Sequence, residues 1–271
     1  MSARANAGGP IVVKLGGRAL ETPESLGELA ADVRQLAGRG VVLVHGGGAE
    51  VSAWCARLGI EPRFHGGLRV TDSATLEVAS AVLAGLANKR LVARLRAEGV
   101  DAIGLAALDG GIVDVVPHPD AAALGAVGAV RGVDPALLET LLARGGVPVL
   151  ASIGASGGEL LNLNADDLAA GLAPALGAET LLLLSDTPGL VLAGAVVPTL
   201  DRDALAATLD HAEVTGGMAP KLRAALAVLD AGVERVAIAA WQGRGTLPRL
   251  LAGEAVATTL MRTPSEEALH G

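Results

Sequence analysis

The chain has one cysteine, one phenylalanine, two tryptophans and no tyrosine. A single thiol, Cys55, excludes an intramolecular disulfide and any cysteine-rich zinc site. With aromatics at 1% of residues, the core must be built from Ala, Val, Leu and Ile, which the 51% hydrophobic content amply supplies. Cations are also in deficit. A formal net charge of −8 excludes a nucleic-acid binder that works by phosphate neutralisation. No apolar run reaches membrane-spanning length without charges or glycines, and Met1 to Pro10 lacks a signal-peptide core. The expectation is a soluble, cytoplasmic protein without a membrane or nucleic-acid partner.

Familiar chemical signatures are missing too. There is no G-x-x-x-x-G-K-[ST] phosphate loop, no G-x-G-x-x-G dinucleotide turn and no G-x-S-x-G elbow. The five histidines have no metal-ligand spacing.

What is present alternates between strand and helix. Ile11 to Leu15, Val41 to His45, Ala102 to Ala106, Val147 to Leu150 and Leu181 to Leu184 read as buried strands. Thr22-Pro23 opens a helix whose apolar face is Leu26, Leu29, Ala30, Val33 and Leu36. Further helices are expected from Ala49 to Leu58, from Ser73 to Glu98 with a break near Asn88, after Asp134-Pro135, and from Asn164. Ile60 to Thr71 reads as an irregular or hairpin segment and Ile112 to Val130 as antiparallel ribbon. Such alternation implies an α/β fold with a parallel, doubly wound sheet and ligands at the strands' carboxyl ends. A soft boundary falls near Gly177.

Two lysines stand in electrostatically poor places. Lys14 lies in a buried strand just before Gly16-Gly17, and Lys221 lies in the first turn of an expected helix, where the macrodipole disfavours a cation. An anion would compensate both. His45-Gly46-Gly47-Gly48 joins a strand to a helix, and its bare amides make either an anion site or a tight turn; His45 itself reads as structural. In Asn162-Leu163-Asn164-Ala165-Asp166-Asp167, Asn164 suits a helix cap and both aspartates suit the first turn, whereas Asn162 has no capping duty. Arg69 is either a solvated loop residue or a carboxylate's planar partner, and Asp72 reads as a cap. Ser185 to Leu190 reads as a turn at the ligand-bearing edge.

Taken together, these segments resemble the amino acid kinase family. The resemblance rests on Lys14-Leu15-Gly16-Gly17, Val44 to Gly48, Gly67-Leu68-Arg69-Val70-Thr71-Asp72, Asn88-Lys89-Arg90, Asn162 to Asp166, Leu183 to Asp186, and Gly216-Gly217-Met218 with Lys221. Within the family it points to the branch acting on N-acetyl-L-glutamate. The resemblance implies a three-layer αβα sandwich with a central, mainly parallel open sheet. It also implies an N-terminal lobe, 1–177, for the amino-acid substrate and dimerisation, and a C-terminal lobe, 178–271, for ATP. Lys14, Lys221 and Asp166 would be catalytic. Gly47, Gly48, Arg69 and Asn162 would bind substrate. Gly16, Gly17, Asp186, Thr187, Pro188, Gly189, Leu190, Val191, Glu213, Val214 and Thr215 would bind the nucleotide. Mg2+ would arrive on the ATP phosphates, with no metal site of the protein's own. The short stretch before the first strand shows no amphipathic period, which implies a homodimer without arginine feedback. The alternatives are a kinase acting on carrier-protein-linked aminoadipate in lysine biosynthesis and a non-catalytic amino-acid or nucleotide sensor.

Overall fold

The computed structural model describes residues 8–209, 211–214 and 217–262. β1 (Ile11–Leu15) is buried except at Lys14. The Thr22 hydroxyl accepts from the Ser25 amide and so caps α1 (Pro23–Leu36), with proline in the first turn. β2 (Val41–His45) is buried throughout and passes through Gly46-Gly47 into α2 (Gly48–Arg57). The segment expected to be irregular holds a two-residue hairpin, β3 (Phe64–His65) and β4 (Leu68–Arg69), turned by Gly66 and Gly67 at positive φ.

The next helix is continuous where a break near Asn88 was expected. α3 (Ser73–Ser80) runs through a π-helical segment, Ala81–Ala87, into α4 (Asn88–Ala97). The wider turns slip the inward face by one residue. Val78, Ala79, Val82 and Leu83 are buried and then Asn88, Leu91 and Leu95, while Leu86 is left 39% exposed. That slip is what carries an asparagine into the core.

β5 (Ala102–Ala106) precedes the expected ribbon, β6 (Val113–Pro117) and β7 (Val127–Val133), which is antiparallel with a short helix, α5 (Ala121–Leu124), between its strands. α6 (Ala136–Ala143) starts where Asp134 accepts from the Ala136 amide, and β8 (Val147–Ala151) follows. A second hairpin, β9 (Ile153–Ser156) and β10 (Glu159–Leu163), turns at Gly157-Gly158. Asn164 caps α7 (Ala165–Ala175), accepting from the Asp166 and Asp167 amides. After β11 (Thr180–Ser185) come β12 (Val191–Leu192), β13 (Ala195–Val196), β14 (Thr199–Asp201), α8 (Arg202–Thr208) and α9 (Met218–Asp230). β15 (Arg235–Ala240), α10 (Thr246–Ala252) and β16 (Thr258–Met261) complete the described chain.

Eight strands form one sheet in the order β14-β16-β15-β11-β1-β2-β8-β5, parallel except where β16 meets β15. Alternate residues of the central strands point to opposite faces. Val12, Val42 and Val44 pack with Leu168, Leu172, Leu222 and Ala225 of α7 and α9. Ile11, Val13 and Leu43 pack with Leu29 of α1, Leu91 of α4 and Leu250 of α10. The result is a three-layer αβα sandwich with a mainly parallel sheet. A smaller sheet, β6-β7-β10-β9, lies beside it. Strands from both sides of Gly177 share the large sheet, because β11 pairs with β1. No helix among the described residues is long and apolar enough to cross a membrane.

Candidate active site

β1 ends beside β2 and β11, so Lys14 reaches the sheet's carboxyl edge. Gly16 makes room for it: a Cβ there would lie 2.6 Å from Lys14 Nζ and 2.8 Å from the Leu184 carbonyl oxygen. Asp166 projects from the first turn of α7, where the helix dipole favours a carboxylate. Lys221 comes from the first turn of α9. The three meet. Lys14 Nζ stands 2.9 Å from Asp166 Oδ1, and Lys221 Nζ donates to Asp166 Oδ2 at 2.6 Å. Lys14 faces its oxygen as an ion pair without hydrogen-bond alignment. Burial pushes the Asp166 carboxyl up, but the two ammonium groups outweigh it and hold the carboxyl below the usual carboxylate range. One carboxylate therefore fixes two cations and leaves a net positive charge at the rim of a cleft.

That cleft has a volume of about 640 Å³, and its walls include Lys14, Asp166, Gly47, Gly48, Arg69 and Asn162. It also reaches Gly16 and Asp186. Arg69, only 8% exposed, forms part of its wall. One Nη donates to the Gly48 carbonyl and to Ser52 Oγ, each at 2.7 Å, and the guanidinium stacks 4.9 Å over the Phe64 ring. Burial lowers its pKa from the ordinary value. Its Nη1 is buried without a hydrogen-bond partner among the described residues. A buried donor left open in a cleft is a place for a ligand's acceptor. Asn162 Nδ2 donates to Thr71 Oγ1 at 3.2 Å, and that hydroxyl donates to the Arg69 carbonyl at 2.9 Å, so Arg69 and Asn162 hang on one network.

The remaining candidates divide. Asp186 borders the cleft at the end of β11, and Gly17 begins a 3₁₀ turn after β1. Thr187, Pro188, Gly189, Leu190 and Val191 follow the same strand but are not among the cleft's walls. Leu190 is buried and its amide donates to Thr258 Oγ1, and Val191 belongs to the β12–β13 hairpin. Glu213 accepts from the Ala193 amide at 2.8 Å, and Val214 is buried in the core. Thr215 and Gly216 lie outside the described residues. Asp72 caps α3 through the Thr75 amide at 2.9 Å.

Ser52 escaped the sequence reading, although it stands one helical turn after Gly48 and so shares its face. Thr71 stands out in the sequence only as part of the Gly67 to Asp72 segment, yet it is fully buried and bridges Arg69 to Asn162.

A mainly parallel α/β sheet whose carboxyl edge gathers two lysines, one carboxylate and a glycine-lined helix start defines a protein that handles phosphorylated or carboxylated anions. The chain belongs to the amino acid kinase family, whose sequence pattern it matches over residues 9–240. It is 43% identical to an acetylglutamate kinase of Methanopyrus kandleri, over 88% of this chain and 99% of that one. The structure of an N-acetylglutamate synthase from Neisseria gonorrhoeae, complexed with coenzyme A and N-acetyl-glutamate, is similar with a TM-score of 0.83 at 28% identity. That alignment covers 95% of this chain and 60% of the longer synthase chain. A carbamate kinase from Giardia lamblia bound to AMP-PNP shares the fold, with a TM-score of 0.70 at 16% identity over 95% and 99% of the two chains.

Proposed function

We propose that the chain transfers the γ-phosphoryl group of ATP to the γ-carboxylate of N-acetyl-L-glutamate, giving N-acetyl-L-glutamyl 5-phosphate in arginine biosynthesis. One observation carries the reading: Lys14 and Lys221 converge on Asp166 at the rim of a cleft whose wall holds Arg69, a buried guanidinium with one nitrogen unpartnered among the described residues.

The chemistry needs little else from the protein. A carboxylate oxygen forms the new bond to phosphorus, the bond between the γ-phosphorus and the bridging oxygen breaks, and ADP leaves. The nucleophile is already ionised, so no general base is required. Every reacting group is anionic, and negative charge spreads over the transferring oxygens in the transition state. Lys14 and Lys221 would stand on either side of that group, and Asp166 would hold both in position. The Gly47 and Gly48 amides would face the attacking carboxylate and the phosphoryl oxygens. Arg69 and Asn162 would hold the amino-acid end of acetylglutamate, with the turn after β11 toward the nucleotide.

The described residues contain no group of three His, Cys, Asp or Glu side chains able to hold a metal, and Asp166 is taken up by two lysines. Such a donor set suits a magnesium ion carried on the ATP phosphates, where it would supply charge neutralisation. The lobe assignment, 1–177 for acetylglutamate and dimerisation and 178–271 for ATP, belongs to the same proposal, as do a homodimeric state and a cytoplasmic location.

The test measures ADP release with ATP and magnesium across N-acetylglutamate, glutamate, aminoadipate, aspartate and carbamate, with hydroxylamine trapping of the product. Turnover with N-acetylglutamate and recovery of its hydroxamate are expected. Turnover with another acceptor alone, or with none, overturns the reading.

A further inference from the structure

The catalytic reading gives no work to a buried polar chain directly beneath the glycine turn. His45, 1% exposed, ends β2, and Asn88, fully buried, reaches it from α4 through the π-helical slip. Donor and acceptor chemistry orients the amide and the ring in this chain. The Lys89 ammonium can only donate, and it sits 3.0 Å from Asn88 Oδ1. The Val149 and Leu105 carbonyls can only accept, and Asn88 Nδ2 donates to them at 2.9 and 3.3 Å. The Asn88 amide is therefore oriented from both ends. Its NH₂ also lies 3.1 Å from His45 Nε2, so that ring nitrogen must be the acceptor. The proton of the neutral ring then sits on Nδ1, 2.9 Å from the Gly46 carbonyl oxygen.

The Gly46 carbonyl and the Gly47 N–H belong to one peptide unit, and no peptide bond among the described residues is cis. In a planar trans peptide these two groups point in opposite directions. A carbonyl drawn onto the buried ring sends the Gly47 N–H the other way, and Gly47 is part of the cleft wall. We infer that Asn88 and His45 are positioning residues that aim the Gly47 amide at the transferring phosphoryl group by fixing the Nδ1–H tautomer of His45. The inference rests on the proposed phosphoryl transfer.

Two further observations agree with it. A Cβ at Gly104 would overlap Asn88 Oδ1 and lie 2.8 Å from Lys89 Nζ and 2.9 Å from Val92 Cγ2, so the neighbouring strand leaves no room for a side chain where these bonds run. Burial, helped by the Lys89 charge and opposed by the Gly46 carbonyl and Glu50, lowers the His45 pKa, which keeps the ring neutral and able to accept from Asn88.

The first test reads the tautomer directly. Nitrogen-15 NMR of the substrate-free protein should show His45 protonated at Nδ1; an Nε2–H ring or an imidazolium at neutral pH overturns the inference. The second test is kinetic. In His45→Gln the amide replaces Nε2 and cannot reach the Gly46 carbonyl, so turnover should fall about tenfold or more with little change in acetylglutamate KM. In His45→Asn the amide replaces Nδ1, which should restore turnover to within about threefold of the original. Near-original turnover in His45→Gln overturns the inference, and so do equal losses in both variants. A parent protein with no turnover on acetylglutamate would instead sink the functional reading, while the tautomer would still decide the hydrogen-bond order.

Discussion

Among the described residues, Asp166 and Asp32 are both largely withdrawn from water, and they are stabilised in opposite ways. Asp166, at the cleft, sits between two ammonium groups. Asp32, fully buried on α1, makes no ion pair among the described residues and accepts instead from the Gly245 and Leu247 amides at 2.7 and 3.0 Å, at the start of α10, with the Arg244 charge a lesser influence. Burial raises the pKa of both. At Asp32 it prevails over the amides and the carboxyl is held above the ordinary value; at Asp166 the lysines prevail and it is held below. A pair of amides ties two helices together with no charge to spare. A pair of lysines leaves a positive excess that can meet a substrate. Arg69 completes the contrast as a buried cation with an open nitrogen and no anion of its own.

The largest effect should follow from removing one cation at Asp166. Lys14→Met and Lys221→Met should each lower turnover by about 10²–10³-fold while the protein stays folded, since each charge acts mainly in the transition state. Circular dichroism with steady-state kinetics checks this, and near-original turnover in either variant would remove that lysine from the mechanism. Gly16→Ala should come next. Its methyl group would displace the Lys14 ammonium, and a misplacement of about 1 Å costs roughly 10²-fold in rate. Arg69→Lys should raise the acetylglutamate KM about tenfold with a smaller change in turnover, because a point charge cannot replace a planar fork. An unchanged KM would exclude Arg69 from the substrate site.

Asp32→Asn should leave turnover alone and cost about 1–2 kcal/mol of stability in urea melts, since one amide loses its acceptor. The two aspartates should also bend the pH dependence of stability in opposite directions. Asp166 ionises more readily in the folded chain, so its contribution is present above the ordinary value of 3.8 and is lost as pH falls below it. Asp32 is the reverse. The folded chain holds its proton more tightly, so stability falls as pH rises from 3.8 toward the raised value. Asp32→Asn should abolish that fall, and urea midpoints measured across the acid range will show whether it does.

Lys14, Lys221 and Asp166 were legible because the two lysines break a local rule and the aspartate suits its place. A lysine in a buried strand and another at a helix start both ask for an anion, and Asp166 stands where a helix welcomes one. The central strands and their caps were legible from apolar runs and from Thr22, Asp72 and Asn164. The β9–β10 hairpin was not, because Ile153 to Ser156 has a strand's pairing without a strand's composition. Nor was the slip before Asn88, since nothing in Ala81 to Ala87 marks a π turn; packing against the sheet selects it. Ser52 and Thr71 were overlooked for a related reason. Hydroxyls at a helix face and a strand end are common, and only the fold brings these two to Arg69.

The strand order carries a consequence for synthesis. β1 is made first, yet one of its two neighbours, β11, is separated from it by more than half the chain. Until that partner leaves the ribosome, one edge of β1 stays unpaired and Asp166 has a single ammonium beside it. The central sheet and the Lys14–Asp166–Lys221 cluster can therefore close only once the last third of the polypeptide, which carries β11 and Lys221, has been made.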